Sequence, residues 1–81
     1  MTADAPAQPT PVVLFRRTER HEGLDIEIEA LRYESSGAAR VEIRLFARGQ
    51  FAAVDIPKTG DPDHIATEVA SLFAQRVSIA R

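Results

Sequence analysis

The sequence contains no cysteine, so disulfide bonds and thiolate metal sites cannot support the fold. It also lacks any apolar run of about 18 residues, the length that a helix needs to cross a bilayer. The chain of 81 residues suffices for one small domain, and its net charge of −2 gives no general attraction to nucleic acid or anionic membrane. A chain this short buries only about 60% of its unfolded surface, and self-association is the remaining common support.

Residues that could carry chemistry are few and isolated. The histidines, His21 and His64, have no predicted nucleophile or carboxylate partner. Asp25, Glu27 and Glu29 share one strand face and could do acid–base work. Arginines of the next strand are predicted opposite two of these carboxylates, which favours a solvated charge ladder. We therefore expect a non-enzymatic protein with no cofactor and no metal.

The N-terminal segment 1–11 is predicted to be a disordered tail. It contains three prolines and an acid but no apolar segment, so it also differs from a secretory signal. Residues 12–81 then form a single small α+β domain. Arginine outnumbers lysine nine to one, which indicates a GC-rich genome. We expect a cytoplasmic protein of bacterial or phage origin.

Alternating apolar and polar residues predict an antiparallel β-meander of three to four strands. A two-residue turn at Arg48-Gly49 closes the hairpin Val41–Ile56, and a turn at Ser36-Gly37 precedes it. The predicted strands are 12–17, 24–33, 41–47 and 51–56. Whether strand 12–17 joins the sheet, and in which register, is left open by the sequence.

The register of the two hairpins can be checked from the residues that it places opposite each other. The apolar pairs are Val41 with Ile56, Ile43 with Val54, Leu45 with Ala52, Ala30 with Ile43 and Ile28 with Leu45. The pairs on the other face are Asp25 with Arg48, Glu29 with Arg44 and Leu31 with Glu42. Because all the apolar pairs share one face, this register predicts which side of the sheet is buried.

A helix is predicted to begin at Asp61-Pro62-Asp63 and to end near Ile79. Asp61 can cap it, and proline suits the first helical position. Its apolar face is predicted from Ile65, Val69, Leu72, Phe73 and Val77. The expected fold is ββββα, with the C-terminal helix packed on one face of the sheet.

Phe46 and Phe51 are the most informative residues for function. The register that buries the apolar set sends both rings to the opposite face, near Leu31 and Tyr33. The pair could simply stabilise the hairpin while half exposed. It could also be the centre of a protein interface with a polar rim, which includes Arg40, Arg44, Arg48, Glu27 and Glu29.

Two further sets of residues leave alternatives open. Ala66, Ala70 and Ala74 form a small-residue stripe, which could pack under the first strand or the 16–23 loop or meet a partner helix. Arg16, Arg17 and Arg20 form a local basic cluster, which could be solvated or could contact phosphates.

The predicted function is a protein–protein interaction module, a small adaptor, inhibitor or accessory protein. We expect it to be homodimeric through the open sheet face or the helix flank. The alternative is a nucleic-acid-binding module that uses Arg16, Arg17, Arg20 and the arginines of the sheet face.

Overall fold

The computed structural model describes residues 10–35, 38–57 and 60–79. These residues form one antiparallel sheet of four strands and one helix packed on it. The elements are β1 (Val12–His21), β2 (Leu24–Ser35), β3 (Ala38–Ala47), β4 (Gln50–Ile56) and α1 (Pro62–Ile79). The strand order is β1-β2-β3-β4, so each strand pairs with its neighbour along the chain. The predicted ββββα fold is confirmed.

The first strand joins the sheet and is longer than predicted. It continues beyond Arg17 to His21 and pairs with β2 along its whole length. The polar residues of this extension are tolerated because β1 is an edge strand, with solvent along one side. The predicted turn at residues 36–37 lies outside the described residues, and so does most of the predicted tail.

Two tight turns of the same kind connect the outer strand pairs. Arg48 and Gly49, the turn predicted from the sequence, have φ angles of 52° and 76°. Glu22 and Gly23 join β1 to β2 with φ angles of 53° and 74°. Positive φ at both central residues is the mark of the type I′ turn, whose twist matches that of the flanking strands. The Glu-Gly dipeptide was the available sequence signal for the β1–β2 hairpin.

The register predicted for the two later hairpins is confirmed for every apolar pair. Val41 lies opposite Ile56, and Leu45 lies between Ala52 of β4 and Ile28 of β2. The same face of the sheet supplies most of the core. Its buried residues from the strands are Leu24, Ile26, Ile28, Ala30, Ile43, Leu45, Ala47 and Ile56.

A β-bulge in β1 changes the faces on which its residues lie. Val13 is opposite Leu31, but Phe15 is opposite the very next residue, Ala30, so Leu14 is the extra residue. Beyond the bulge, Phe15 and Arg17 share the core face, whereas Arg16 lies on the other face. This register could not be read from the alternation of β1 alone.

The helix begins as predicted. The Asp61 side chain accepts a hydrogen bond from the backbone N–H of Asp63 at 3.1 Å, and its carbonyl accepts one from Ile65 at 3.0 Å. The helix lies mainly over β2 and β3, so it covers the centre of the sheet more fully than its edges.

Four of the five residues predicted for the buried helix face do pack against the sheet core: Phe73 and Val77 are buried, and Ile65 and Val69 are partly buried. Ala66, Ala70 and Ala74 are completely buried between helix and sheet, together with Phe73 and Val77. Leu72, predicted to be part of the apolar face, is 61% exposed. Small residues let the helix backbone approach the strands closely, so the alanine stripe is a core contact. The alanines are therefore not accessible to a partner helix in this structure.

Candidate interaction surface

The side of the sheet away from α1 is called the open face, and it carries the aromatic pair. Phe46 of β3 lies directly opposite Phe51 of β4, as predicted. Phe46 is 41% exposed and Phe51 is 64% exposed, although both are large apolar side chains. Burying an aromatic side chain contributes about 1.5–3 kcal/mol, so this exposed area is available to stabilise a complex.

A shallow depression of about 500 Å³ lies beside the aromatic pair and extends across the sheet. Its lining on the open face comes from Arg16, Thr18, Glu27, Glu29, Arg44, Phe46 and Phe51. The aromatic rings form one end, and charged side chains together with Thr18 form the rest. An apolar centre next to a charged rim is the usual anatomy of a protein interface.

The charges of the open face pair with one another. Arg16 donates to Glu29 at 2.6 Å and Arg20 donates to Asp25 at 2.8 Å. Towards the other edge of the sheet, Arg40 donates to Asp55 at 2.9 Å. Because opposite charges pair across the sheet, the open face has little net charge. Each exposed pair stabilises the fold only slightly.

Two of the predicted charge pairs differ from those that form. Glu29 lies opposite Arg44 in the register but bonds Arg16 on its other side. Asp25 bonds Arg20 and not Arg48, because Arg48 lies in the tight turn beyond the paired residues of β2 and β3. A strand inside a sheet has neighbours on both sides, and the sequence did not reveal the register of the second neighbour.

Arg44 and Tyr33 form a compact polar cluster near the centre of the open face. Arg44 donates to Glu42 at 2.9 Å and to the Tyr33 hydroxyl at 2.8 Å. The hydrogen bond to Glu42 raises the pKa of Arg44 above its ordinary value. The Arg40 guanidinium lies 4.5 Å from the centre of the Tyr33 ring. These contacts hold Tyr33 and Arg44 in place on the open face.

Leu31, predicted to belong to the interface, is only 3% exposed. It lies on the open face between Val13 and Glu42, outside the main core cluster. Leu31 therefore supports the surface from within the sheet and does not offer contact area of its own.

The basic cluster is divided between the two faces of β1. Arg16 and Arg20 lie on the open face, each with a carboxylate partner. Arg17 lies on the core face and reaches the start of the helix, where it donates to the Asp63 carboxylate at 2.7 Å and to the Asp63 carbonyl at 2.9 Å. The three arginines do not form a continuous basic surface.

Arg17 also belongs to a network that the sequence did not predict. Glu19 accepts hydrogen bonds from Arg17 at 2.6 Å and from the Thr67 hydroxyl at 2.9 Å. The His21 ring lies 2.8 Å from the other Glu19 oxygen. Together these contacts tie the edge strand β1 to the first turns of α1. These contacts depend on the register of β1, which the alternation of its residues does not determine.

The titration of this network follows from its contacts. Partial burial would by itself raise the pKa of Glu19. Hydrogen bonds from His21, Thr67 and Arg17 outweigh burial and lower the pKa of Glu19 below its usual value. Burial likewise opposes the charge of Arg17, but hydrogen bonds to Glu19 and Asp63 raise its pKa. Both groups therefore stay charged at neutral pH, as a structural ion pair requires.

Neither catalysis nor metal binding has an evident centre within the described parts of the chain. No group of three or more histidine, aspartate or glutamate side chains there could hold a metal ion. His21 contacts Glu19, which also accepts a hydrogen bond from Thr67 of the helix, so this pair belongs to the contact between β1 and α1.

Comparison with known proteins identified no relative of this chain. Among the residues that the structure describes, no helix is both long and apolar enough to span a membrane. No protein-family model, curated protein or solved structure matches this chain.

Proposed function

We propose that the protein is a non-enzymatic protein–protein interaction module that binds a second copy of itself through the surface around Phe46 and Phe51. Small adaptor, inhibitor and accessory proteins are interaction modules of this kind. The observation that carries the proposal is the exposed aromatic pair on a sheet face that no other described element covers. Aromatic residues are enriched at the centres of protein interfaces.

The charge of the open face supports a second copy as the partner. Among the paired strand residues that the structure describes, four arginines and five carboxylates lie on this face: Arg16, Arg20, Arg40 and Arg44, with Asp25, Glu27, Glu29, Glu42 and Asp55. A nearly balanced surface does not repel an identical surface. Nucleic-acid binding instead draws on an excess of positive charge that neutralises phosphates.

The test is the mass of the protein in solution, measured by size-exclusion chromatography with light scattering. The wild type is expected at twice 8.9 kDa. Phe46→Ser combined with Phe51→Ser is expected at the monomer mass, because the apolar centre of the interface is lost. Circular dichroism would verify that the double variant remains folded.

Leu72→Ser is the matched control. Leu72 is about as exposed as Phe51 but lies on the helix, on the other side of the sheet. The proposal expects this variant to remain a dimer. It would be refuted by a monomeric wild type at the highest attainable concentration, or by equal dissociation of the control.

A further inference from the structure

The two edges of the sheet differ in how well they are protected against pairing with another strand. β1 has a bulge after Val13, and four of its five residues from 16 to 20 are charged: Arg16, Arg17, Glu19 and Arg20. Bulges and charges are the usual devices that prevent edge-to-edge association. The β1 edge is therefore poorly suited to accept another strand.

The β4 edge has fewer of these devices, because it lacks a bulge and carries a single charge. Its sequence, Gln50–Ile56, contains one charged residue, Asp55, and no lysine, arginine, proline or glycine. It pairs with β3 in unbroken register from Gln50 to Ile56. No other described strand pairs with its outer side, where every second residue directs its backbone N–H and C=O away from β3.

The side chains of β4 also suit pairing with another strand. On the open face the strand presents the exposed Phe51 and Ala53, and on the core face Ala52 and Val54 are only half buried. Of the four strands, β4 is the one that the helix contacts least. The strand has an unbroken register and is largely uncharged, which leaves its edge open to a new strand.

We propose that the second copy adds to this edge, so that the two β4 strands pair antiparallel about a two-fold axis and join the two four-stranded sheets into one. The proposal rests on the homodimer proposed above and places its contact at the β4 edge, where Phe51 adjoins the partner strand and Phe46 lies one strand further in. The axis passes beside Ala53, because only that register gives all seven residues of β4 a partner within the strand. Ala53 then faces the partner's Ala53, and Phe51 faces the partner's Asp55.

The charge on the strand is compatible with this arrangement. Asp55 already accepts a hydrogen bond from Arg40 at 2.9 Å, so the partner's Phe51 meets a neutralised ion pair. In the proposed register the two Asp55 residues are four positions apart along the strands, about 14 Å at the rise of a β-strand. That exceeds the Debye length of about 8 Å at physiological ionic strength. Repulsion between the two copies is therefore small.

Hydrogen exchange of the β4 amides distinguishes edge pairing from packing of the two open faces. Only edge pairing gives hydrogen-bond partners to the amides that point away from β3. In the wild-type dimer, alternate β4 amides are expected to exchange about tenfold more slowly, or slower still, than in the monomeric Phe46→Ser/Phe51→Ser variant. Equal exchange rates in a protein of dimer mass would overturn the edge proposal and leave the homodimer intact.

Cysteine cross-linking tests the register. Because the sequence contains no native cysteine, any disulfide bond must involve the introduced residue. Ala53→Cys is expected to form a covalent dimer under mild oxidation, because residues opposite each other on paired strands lie within disulfide range. Thr18→Cys is the control, since Thr18 is exposed on the same face at the opposite edge. Protected amides without a cross-link at position 53 would overturn the register. A monomeric wild type would refute the underlying dimer itself.

Discussion

Arg16 and Arg17 are neighbours in sequence but make different contributions to the fold. The Arg16 side chain is 70% exposed and contacts one carboxylate on the open face. The Arg17 side chain is 27% exposed and joins β1 to α1 through Asp63, Thr67 and Glu19. The alternation of strand residues, shifted by the bulge, decides which of the two arginines meets the helix.

These contacts predict unequal effects of truncating the two arginines. Arg17→Ala removes hydrogen bonds to charged groups and leaves Glu19 partly buried without its arginine, which costs about 1.5–3 kcal/mol. Arg16→Ala removes one exposed ion pair and is expected to cost less than about 1 kcal/mol. Urea unfolding of both variants measures the difference. Equal losses would mean that Arg17 does not hold the helix to β1.

For individual residues, the sequence predicted the position of a side chain on the sheet better than its hydrogen-bond partner. The positions of Phe46 and Phe51 followed from the register of one hairpin. The partners of Glu29 and Asp25 did not, because each depends on β1, whose bulge has no clear signature in the run Val12–Phe15. Four neighbouring apolar residues allow several placements of an extra residue with similar burial.

The contact between helix and sheet depends on small side chains. Ala66, Ala70 and Ala74 recur every four residues, and all three are completely buried. The face predicted from apolar residues at three- and four-residue spacings placed Leu72 in the core, whereas the structure leaves it largely exposed. Nearly half of the helix circumference is non-polar, so periodicity alone does not determine which part of that arc meets the strands.

Replacing one of these alanines tests how close the contact is. Ala70→Leu inserts extra methylene and methyl groups where the alanine is fully buried, and overpacking of this kind costs about 1–3 kcal/mol. Gln75→Leu introduces the same side chain at an exposed position of the same helix and is expected to change stability by less than about 0.5 kcal/mol. Thermal unfolding of the two variants compares their stabilities. A neutral Ala70→Leu would show that space remains between helix and sheet.

The central hairpin and the helix start were the elements most completely predicted. Arg48-Gly49 fixes the hairpin register, and Asp61-Pro62-Asp63 fixes where the helix begins. Both are local signals in which a few adjacent residues determine the backbone. The extent of β1 depends instead on pairing with β2, which no short segment encodes.

For the whole molecule, dimerisation and stability are coupled if the second copy binds only the folded chain. The melting temperature of the wild type is then expected to rise by about 5 °C for a hundred-fold increase in protein concentration. Ala53→Lys places a charge on the proposed edge and should make the melting temperature independent of concentration.

Thr18→Lys adds the same charge at the β1 edge and should leave the dependence unchanged. Differential scanning calorimetry at several concentrations measures all three proteins. A wild-type melting temperature that stays constant over this range would contradict self-association.

The meander order of the strands has a consequence for the time course of folding. Every pairing joins strands adjacent along the chain, and two of the three connections are two-residue turns, so the sheet can assemble by local closure of hairpins. The helix is the last described element to be synthesised. A nascent chain therefore completes its strands while Ile26, Ile28, Ile43 and Leu45 are still uncovered. Until the helix leaves the ribosome and docks, the sheet presents an apolar face to every other protein nearby.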